Sequence, residues 1–204
     1  GGDGNPILIN YQRFAPAGVL APKSKADMAF IMHSLSWLAT SGTAAIVCFP
    51  GILYRSGAEQ KIRKYLADNN FVDCVIQLPS NLFFGTPIAT CIMVLRKGKT
   101  DNSVLFIDAS RDFVKVTNSN KLTQKNIEHI ERVFTDRNNE DYFSRLVPVK
   151  DIDDNYNLSV SAYVEQEDTR ENIDITVLNA EIEQIVARED ELRIAINEII
   201  RGLE

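Results

Sequence analysis

The stretch FVDCVIQLPSNLFFGTPIATCIMVLRK, residues 71–97, decides the fold prediction because two strongly apolar runs flank a turn-rich loop. The runs at 71–78 and 88–96 have the length and composition of strands that are covered on both faces of a sheet. Only nine residues connect them, whereas a parallel crossover needs roughly a dozen or more. The sequence therefore predicts an antiparallel pair of strands at one edge of the sheet.

Helices alternate with further apolar strands on both sides of this pair. Upstream, residues 24–27 match a capping box that introduces a helix, 43–50 is a continuous apolar run, and 57–70 is an amphipathic helix. Downstream, 103–110 is a fourth strand, and Thr123 is the predicted cap of a further helix. This alternation predicts an α/β sheet with parallel character.

The composition bounds the class of protein. The 204 residues fit one ordinary domain plus an appendage, and the formal net charge of −6 makes the chain a poor DNA binder without a local basic patch or a basic partner. Cys48, Cys74 and Cys91 lie in apolar runs without metal-type spacing, so we expect buried, reduced thiols and a cytoplasmic protein. No apolar run approaches the roughly 18 residues of a membrane span.

The loop inside the quoted stretch places Phe83 and Phe84 between turn residues. Turn chemistry explains the proline, serine, asparagine and glycine around them, but not two adjacent aromatic rings. Two interpretations are open. The rings fold back as a lid over the core, or they offer an aromatic face to a flat ligand.

The C-terminal stretch has apolar residues that alternate three and four positions apart, which is the a/d pattern of a heptad seam. Only Glu189 interrupts it. A single helix cannot bury such a seam by itself. The helix therefore packs either against the rest of this protein or against a partner chain. Its length and the acidic spacer before it favour a partner chain. The seam consists of Ile175, Leu178, Ile182, Ile185, Leu192, Ile196, Ile199 and Leu203.

A search for catalytic motifs finds neither a glycine-rich phosphate loop nor a GxSxG elbow. The two histidines, His33 and His129, fall in different helices, and no metal site is predicted. Asp73 and Asp108 lie in or at the end of strands, where ligands bind in α/β sheets, but neither has a paired base. From the residues alone, no reaction can be named.

The order of four segments adds to this picture. The segments PKSKADMAFIMHSL, GTAAIVCFPGILYRSGAEQKIRKYL, the quoted 71–97 stretch and VLFIDAS follow one another. In this order they closely resemble the modification subunit of type I restriction-modification systems, an adenine-N6 DNA methyltransferase. The resemblance runs from about Arg13 into the C-terminal helix.

The resemblance implies the C-terminal part of a Rossmann-like mixed sheet with an antiparallel edge hairpin. Residues 1–115 would complete the catalytic domain, 116–172 would form a helical and irregular connector, and 173–204 a coiled-coil-like docking helix. Members of the family bind S-adenosylmethionine and the target adenine through motifs that precede this stretch. Asn5-Pro6 does not qualify as the adenine motif, because Ile7 follows where a second proline is required. We therefore expect this chain to be part of a longer subunit, without catalytic residues and without S-adenosylmethionine binding of its own.

The resemblance also assigns roles to the loop. Phe83 or Phe84 would stack on an adenine flipped out of the duplex, since the base must leave the helix to react. Asn81 and Thr86 would contact the edge of the base. Pro50 and Gly51, which follow a strand, would line the same cleft.

The resemblance implies partners as well. The heptad helix would dock to the specificity subunit and, through it, to the restriction subunit, with DNA bound in the full complex and no membrane involved. Alone, the helix would favour self-association. A rival interpretation is a non-catalytic assembly module that docks to a specificity subunit. An unrelated nucleotide-binding α/β enzyme is disfavoured by the lack of a phosphate loop.

Overall fold

The computed structural model describes residues 7–167 and 175–201. The chain divides into two units, Gly1–Gln166 and Glu167–Glu204, which are described separately. No helix in the described part has the length and apolar character needed to cross a membrane.

Seven strands form two sheets in the described part of the first unit. A five-stranded sheet has the order β1-β3-β2-β4-β7, and a separate hairpin pairs β5 with β6. The strands are β1 (Thr43–Cys48), β2 (Val72–Gln77), β3 (Cys91–Arg96), β4 (Ser103–Asp108), β5 (Val114–Val116), β6 (Ser119–Lys121) and β7 (Ser144–Pro148).

The directions of the strands determine where their carboxyl ends lie. β3 is antiparallel to both β1 and β2, with Cys91 opposite Cys48 on one side and Gln77 on the other. β2 is parallel to β4. The strands β1, β2 and β4 therefore point the same way, and their carboxyl ends meet at one edge of the sheet.

The predicted antiparallel pairing of β2 with β3 is confirmed, but its placement at a sheet edge is wrong. β1 hydrogen-bonds to the far side of β3, and β4 to the far side of β2. Both strands of the hairpin therefore lie inside the sheet. The short connection determines the pairing of β2 with β3, but it does not determine what pairs with their outer sides.

Helices cover both faces of the sheet. Successive residues of a strand point to opposite faces, and accordingly Val75 of β2 joins the core under α1 and α2, whereas Ile76 joins the core under α3. The helices are α1 (Asp27–Trp37), α2 (Ala58–Asp68), α3 (Gln124–Asp136) and, in the second unit, α4 (Ile175–Arg201).

The predicted helix caps differ in outcome. α1 begins at Asp27, and its N-cap residue, Ala26, makes no side-chain hydrogen bond, so the predicted capping box is wrong. At α3 the cap is confirmed. The Thr123 hydroxyl accepts the backbone N–H of Asn126, and the Asn126 side chain accepts the N–H of Thr123.

Two parts of the fold were not predicted. β7, from the stretch predicted to be a connector, extends the sheet by pairing antiparallel with β4. The strands of the β5–β6 hairpin are only three residues long, which is too short for a periodic strand signal. The three cysteines are free and buried, as predicted.

Candidate functional site

The loop 78–90 lies at the edge where the carboxyl ends of β1, β2 and β4 meet. It leaves the sheet after Gln77 and returns at Cys91, and these two residues face each other in the β2–β3 ladder. Ligands of open α/β sheets bind beside the carboxyl ends of the strands. The position of the loop makes it the leading candidate site.

The base of the loop is held firmly. The backbone N–H of Leu78 donates to the carbonyl oxygen of Thr90 at 2.9 Å. The side-chain amide of Gln77 donates to the carbonyl oxygens of Leu78 at 3.2 Å and Thr90 at 3.1 Å. Leu78 is buried in the core under α3. The two ends of the loop therefore stay together without help from a ligand.

The tip of the loop is also closed by internal hydrogen bonds. The N–H of Asn81 donates to the carbonyl oxygen of Pro87 at 3.3 Å, and the N–H of Ile88 donates to the Thr86 hydroxyl at 3.2 Å. Asn81 and Gly85 take left-handed backbone conformations, with φ of 52° and 79°. Glycine and asparagine are the residues that adopt this conformation most readily, which explains their places in the sequence.

The two aromatic rings are displayed to different extents. Phe84 is fully exposed, with 108% of its reference surface accessible, and Phe83 is 43% exposed. The neighbouring Leu82 is the side chain that packs against the core. The Phe84 ring therefore covers none of the core, and a planar surface of about ring size is offered at the carboxyl edge.

A second element braces the loop from outside. The side-chain amide of Asn120, in β6, donates to the carbonyl oxygen of Ser80 at 2.7 Å. Its backbone N–H donates to the carbonyl oxygen of Asn81 at 2.9 Å. Sequence patterns could not predict this contact, because Ser80 and Asn120 are 40 positions apart.

The end of β1 contributes a tight turn at the same edge. Pro50 is half-buried and Gly51 is buried in a short 3-10 turn. A side chain at Gly51 would collide with the Arg55 guanidinium, which pairs with the buried Glu59 at 3.3 Å. The Arg55 guanidinium therefore occupies the space beside Gly51 that a side chain would take.

Polar residues considered for catalysis have structural partners. The His129 ring contacts Asp112 at 3.0 Å and Glu140 at 2.9 Å. Asp73 is buried and lies 2.9 Å from the Arg137 guanidinium, and Asp108 accepts the backbone N–H of Ser110 at 3.0 Å.

His33 contacts the Arg13 guanidinium, with Arg13 Nε 2.7 Å from Nδ1 of the ring. Within residues 7–167 and 175–201, no group of three or more histidine, cysteine or acidic residues is placed to hold a metal ion.

In the second unit, α4 is a continuous helix of 27 residues. The described seam residues are all at least 44% exposed. Leu203, the last predicted seam residue, lies outside the described residues. The exposed seam residues are Ile175, Leu178, Ile182, Ile185, Leu192, Ile196 and Ile199.

Comparison with known proteins identifies relatives of the whole chain. It is 50% identical over 205 residues to the type I restriction enzyme MpnII methylase subunit of Mycoplasma pneumoniae, covering 100% of this chain and 38% of the relative. It is 33% identical over 207 residues to the MjaVII methylase subunit of Methanocaldococcus jannaschii, covering 98% of this chain and 35% of the relative. The chain thus spans well under half the length of these curated relatives.

A solved structure agrees with the sequence comparison. The methyltransferase subunit of a type I restriction-modification system from Streptococcus thermophilus is 40% identical, with a TM-score of 0.78, over 80% of this chain and 36% of that one. The predicted fold class, a mixed α/β methyltransferase sheet followed by a long helix, is confirmed. The family profile of the N-6 DNA methylases matches residues 3–172. This chain, with its braced aromatic loop at the carboxyl edge of a mixed sheet, belongs to the N-6 DNA methylase family.

Proposed function

We propose that this chain is part of a type I modification subunit that transfers a methyl group from S-adenosylmethionine to N6 of adenine in DNA. The observation that best supports a role for this part of the subunit is the full exposure of the Phe84 ring, on a closed loop at the carboxyl edge of the sheet. The names of its relatives, methylase subunits of type I restriction enzymes, support the same activity.

Methylation of an adenine amino group explains why such a ring is useful. The amino group is inaccessible to an enzyme within the duplex, so the nucleotide is extruded at a cost of a few kcal/mol. Stacking of a base on an aromatic side chain is worth about 1–3 kcal/mol. Phe84 offers a face for the extruded adenine, and the hydrogen-bonded loop holds the backbone that carries the ring.

Polar and backbone groups near the ring complete the proposed pocket. Asn81 is exposed and Thr86 is half-buried on the same loop, and each has a side chain that can hydrogen-bond to the edge of a base. Pro50 and Gly51, at the end of β1, would form the neighbouring wall. Phe83, which is less exposed than Phe84, is the alternative ring for the same stack.

Two observations support the proposal that this part of the subunit does not hold S-adenosylmethionine, which supplies the reactive methyl group when it is bound. Gly51, the glycine that follows β1, packs against the Arg55 guanidinium. Neither β2 nor β4 is followed by a glycine-rich turn that could approach a nucleoside. We therefore propose that donor binding depends on other parts of the subunit. Calorimetric titration of this chain with S-adenosylmethionine tests the proposal, and a micromolar dissociation constant would refute it.

The base-stacking proposal is tested in the full-length subunit assembled with its partner subunits. Phe84→Ala should lower the rate of methylation on the order of ten- to a hundredfold, because the variant loses the free energy of stacking one base on one ring. Phe83→Ala should have a smaller effect. Phe30→Ala, which removes a 67% exposed ring from α1, is the matched control and should leave the rate unchanged. Normal methylation by Phe84→Ala would contradict the proposal.

A second role, assembly, is favoured by the exposed seam of α4. We propose that this helix docks to the specificity subunit and, through it, to the restriction subunit. If assembly were the only role of the chain, the Phe84 variant would methylate normally while seam variants failed to assemble. A cytoplasmic location is supported by the three free, buried cysteines.

A further inference from the structure

The β5–β6 hairpin and the start of α3 form a basic segment in an acidic chain. Residues 111–125 contain four basic residues and one acidic residue, a formal charge of +3, whereas the whole chain carries −6. The acidic residue, Asp112, is already engaged by His129. Lys115 and Lys121 are exposed and form no ion pair within the part of the chain that the structure describes.

The register of the hairpin gives its two lysines different surroundings. Lys115 is directly opposite Asn120, and Lys121 is opposite Val114. Residues that face each other across a ladder share one face, and adjacent pairs alternate between faces. Lys115 therefore lies on the face of Asn120, and Lys121 lies on the opposite face.

The aromatic loop lies along the outer edge of β6, where the backbone N–H of Asn120 donates to the carbonyl oxygen of Asn81 at 2.9 Å. The side-chain amide of Asn120 reaches the carbonyl oxygen of Ser80 at 2.7 Å. Lys115 therefore lies one strand away from the loop, in β5, on the face from which the Asn120 side chain reaches Ser80. Such a position suits a phosphate next to a base that stacks on the ring, because lysine is a flexible donor of three hydrogen bonds with a full positive charge.

We propose that the β5–β6 hairpin is a DNA-backbone contact, in which Lys115 binds a phosphate beside the extruded nucleotide and Asn120 holds the aromatic loop in register with it. The inference rests on the proposed function, since it assumes that DNA is the ligand at this edge. The hairpin would supply the local basic patch that an acidic chain needs in order to approach DNA. Asn120 acts as a positioning residue.

The test is equilibrium binding of a duplex oligonucleotide to the assembled full-length subunit over a range of salt concentrations. Each phosphate contact adds about 0.9 to the slope of the logarithm of affinity against the logarithm of salt. Lys115→Glu should weaken binding and reduce that slope by about 1. Lys121→Glu, on the opposite face with the same change of charge, is the matched control and should keep the wild-type slope.

The positioning role of Asn120 has its own readout. Asn120→Ala should keep the wild-type salt slope but lower the methylation rate at saturating DNA, because the loop loses the side-chain hydrogen bond to Ser80 while the phosphate contact stays. An unchanged slope for Lys115→Glu, or an equal loss for Lys121→Glu, would overturn the phosphate contact. A wild-type complex that binds DNA but does not methylate adenine would overturn the proposed function instead.

Discussion

The guanidinium of Arg63 donates a hydrogen bond of 2.7 Å to the backbone carbonyl oxygen of Tyr156, a residue 93 positions later in the chain. Arg63 also donates to the carbonyl oxygens of Ile52 at 3.0 Å and Arg55 at 2.7 Å. Burial lowers the pKa of Arg63, and Glu59 and Asp153 oppose that shift. One buried cation therefore joins α2, the turn after β1 and the chain that follows β7.

Replacing Arg63 should destabilise this chain strongly. Arg63→Met removes the donor and leaves buried carbonyl oxygens unsatisfied, so we expect the free energy of unfolding to fall by on the order of 3 kcal/mol. Urea denaturation followed by circular dichroism measures the change. Lys61→Met, at an exposed position of the same helix, is the control and should change stability by less than about 0.5 kcal/mol. Equal stability of the two variants would contradict a structural role for Arg63.

His129 should make stability depend on pH. Burial by itself would lower the pKa of His129, but hydrogen bonds and charge interactions with Glu140 and Asp112 outweigh it, so the pKa lies above its ordinary value of 6.5. Arg132 shares Glu140 at 2.9 Å. A group whose pKa is raised by folding stabilises the protein fully below its unfolded pKa, and this contribution is lost as pH rises through the folded pKa.

The measurement is the difference in unfolding free energy between the wild type and His129→Gln as a function of pH. The difference should be largest below about pH 6.5 and should decline at higher pH. His33→Gln is the matched control, because that ring contacts the Arg13 guanidinium instead of carboxylates. A difference for His129→Gln that grows with rising pH would show that the sign is wrong.

The three cysteines should be nearly inert in the folded protein. Burial, together with the nearby Asp27, raises the pKa of Cys48 to about 11, and burial raises the pKa of Cys91 to about 12. Burial also raises the pKa of Cys74, which is fully enclosed in β2. Because the thiolate is the reactive form, an aromatic disulfide reagent at pH 8 should titrate no thiol within minutes, and all three after unfolding in urea. Rapid reaction of any thiol in the native protein would contradict this burial.

The exposed seam of α4 should govern assembly. Each Ile or Leu is worth roughly 1.5–3 kcal/mol when fully buried, so Ile182→Asp combined with Ile196→Asp should abolish co-purification with the specificity subunit. In this chain alone, the same pair should reduce self-association in sedimentation experiments. Ala180→Asp with Ala187→Asp adds the same charge away from the seam and is the matched control. Intact assembly of the seam variant would remove the docking role.

The register of the seam has a second feature that the same assay can test. Glu189 occupies a seam position and is exposed on the helix. One polar residue in an apolar seam disfavours misaligned pairings at some cost in stability. Glu189→Leu should therefore strengthen self-association of this chain and increase the range of oligomers seen by sedimentation. A weaker or unchanged association would contradict a role in register.

The sequence by itself determined the features that depend on neighbouring residues. The apolar runs specified β1 to β4, the nine-residue connection forced β2 and β3 to be antiparallel, and Thr123 marked the start of α3. The apolar setting of the cysteines predicted their burial. These features rest on local periodicity, turn closure and backbone hydrogen bonds, all of which act over a few positions.

Only the tertiary structure decided which distant segments meet. It inserted β3 between β1 and β2, added β7 to the sheet and placed Asn120 against the loop of Phe84. It also separated the exposed Phe84 from the half-covered Phe83, two residues that the sequence could not distinguish. Strand order, side-chain exposure and the partners of a buried guanidinium depend on contacts between segments tens of residues apart, and local patterns carry no information about those contacts.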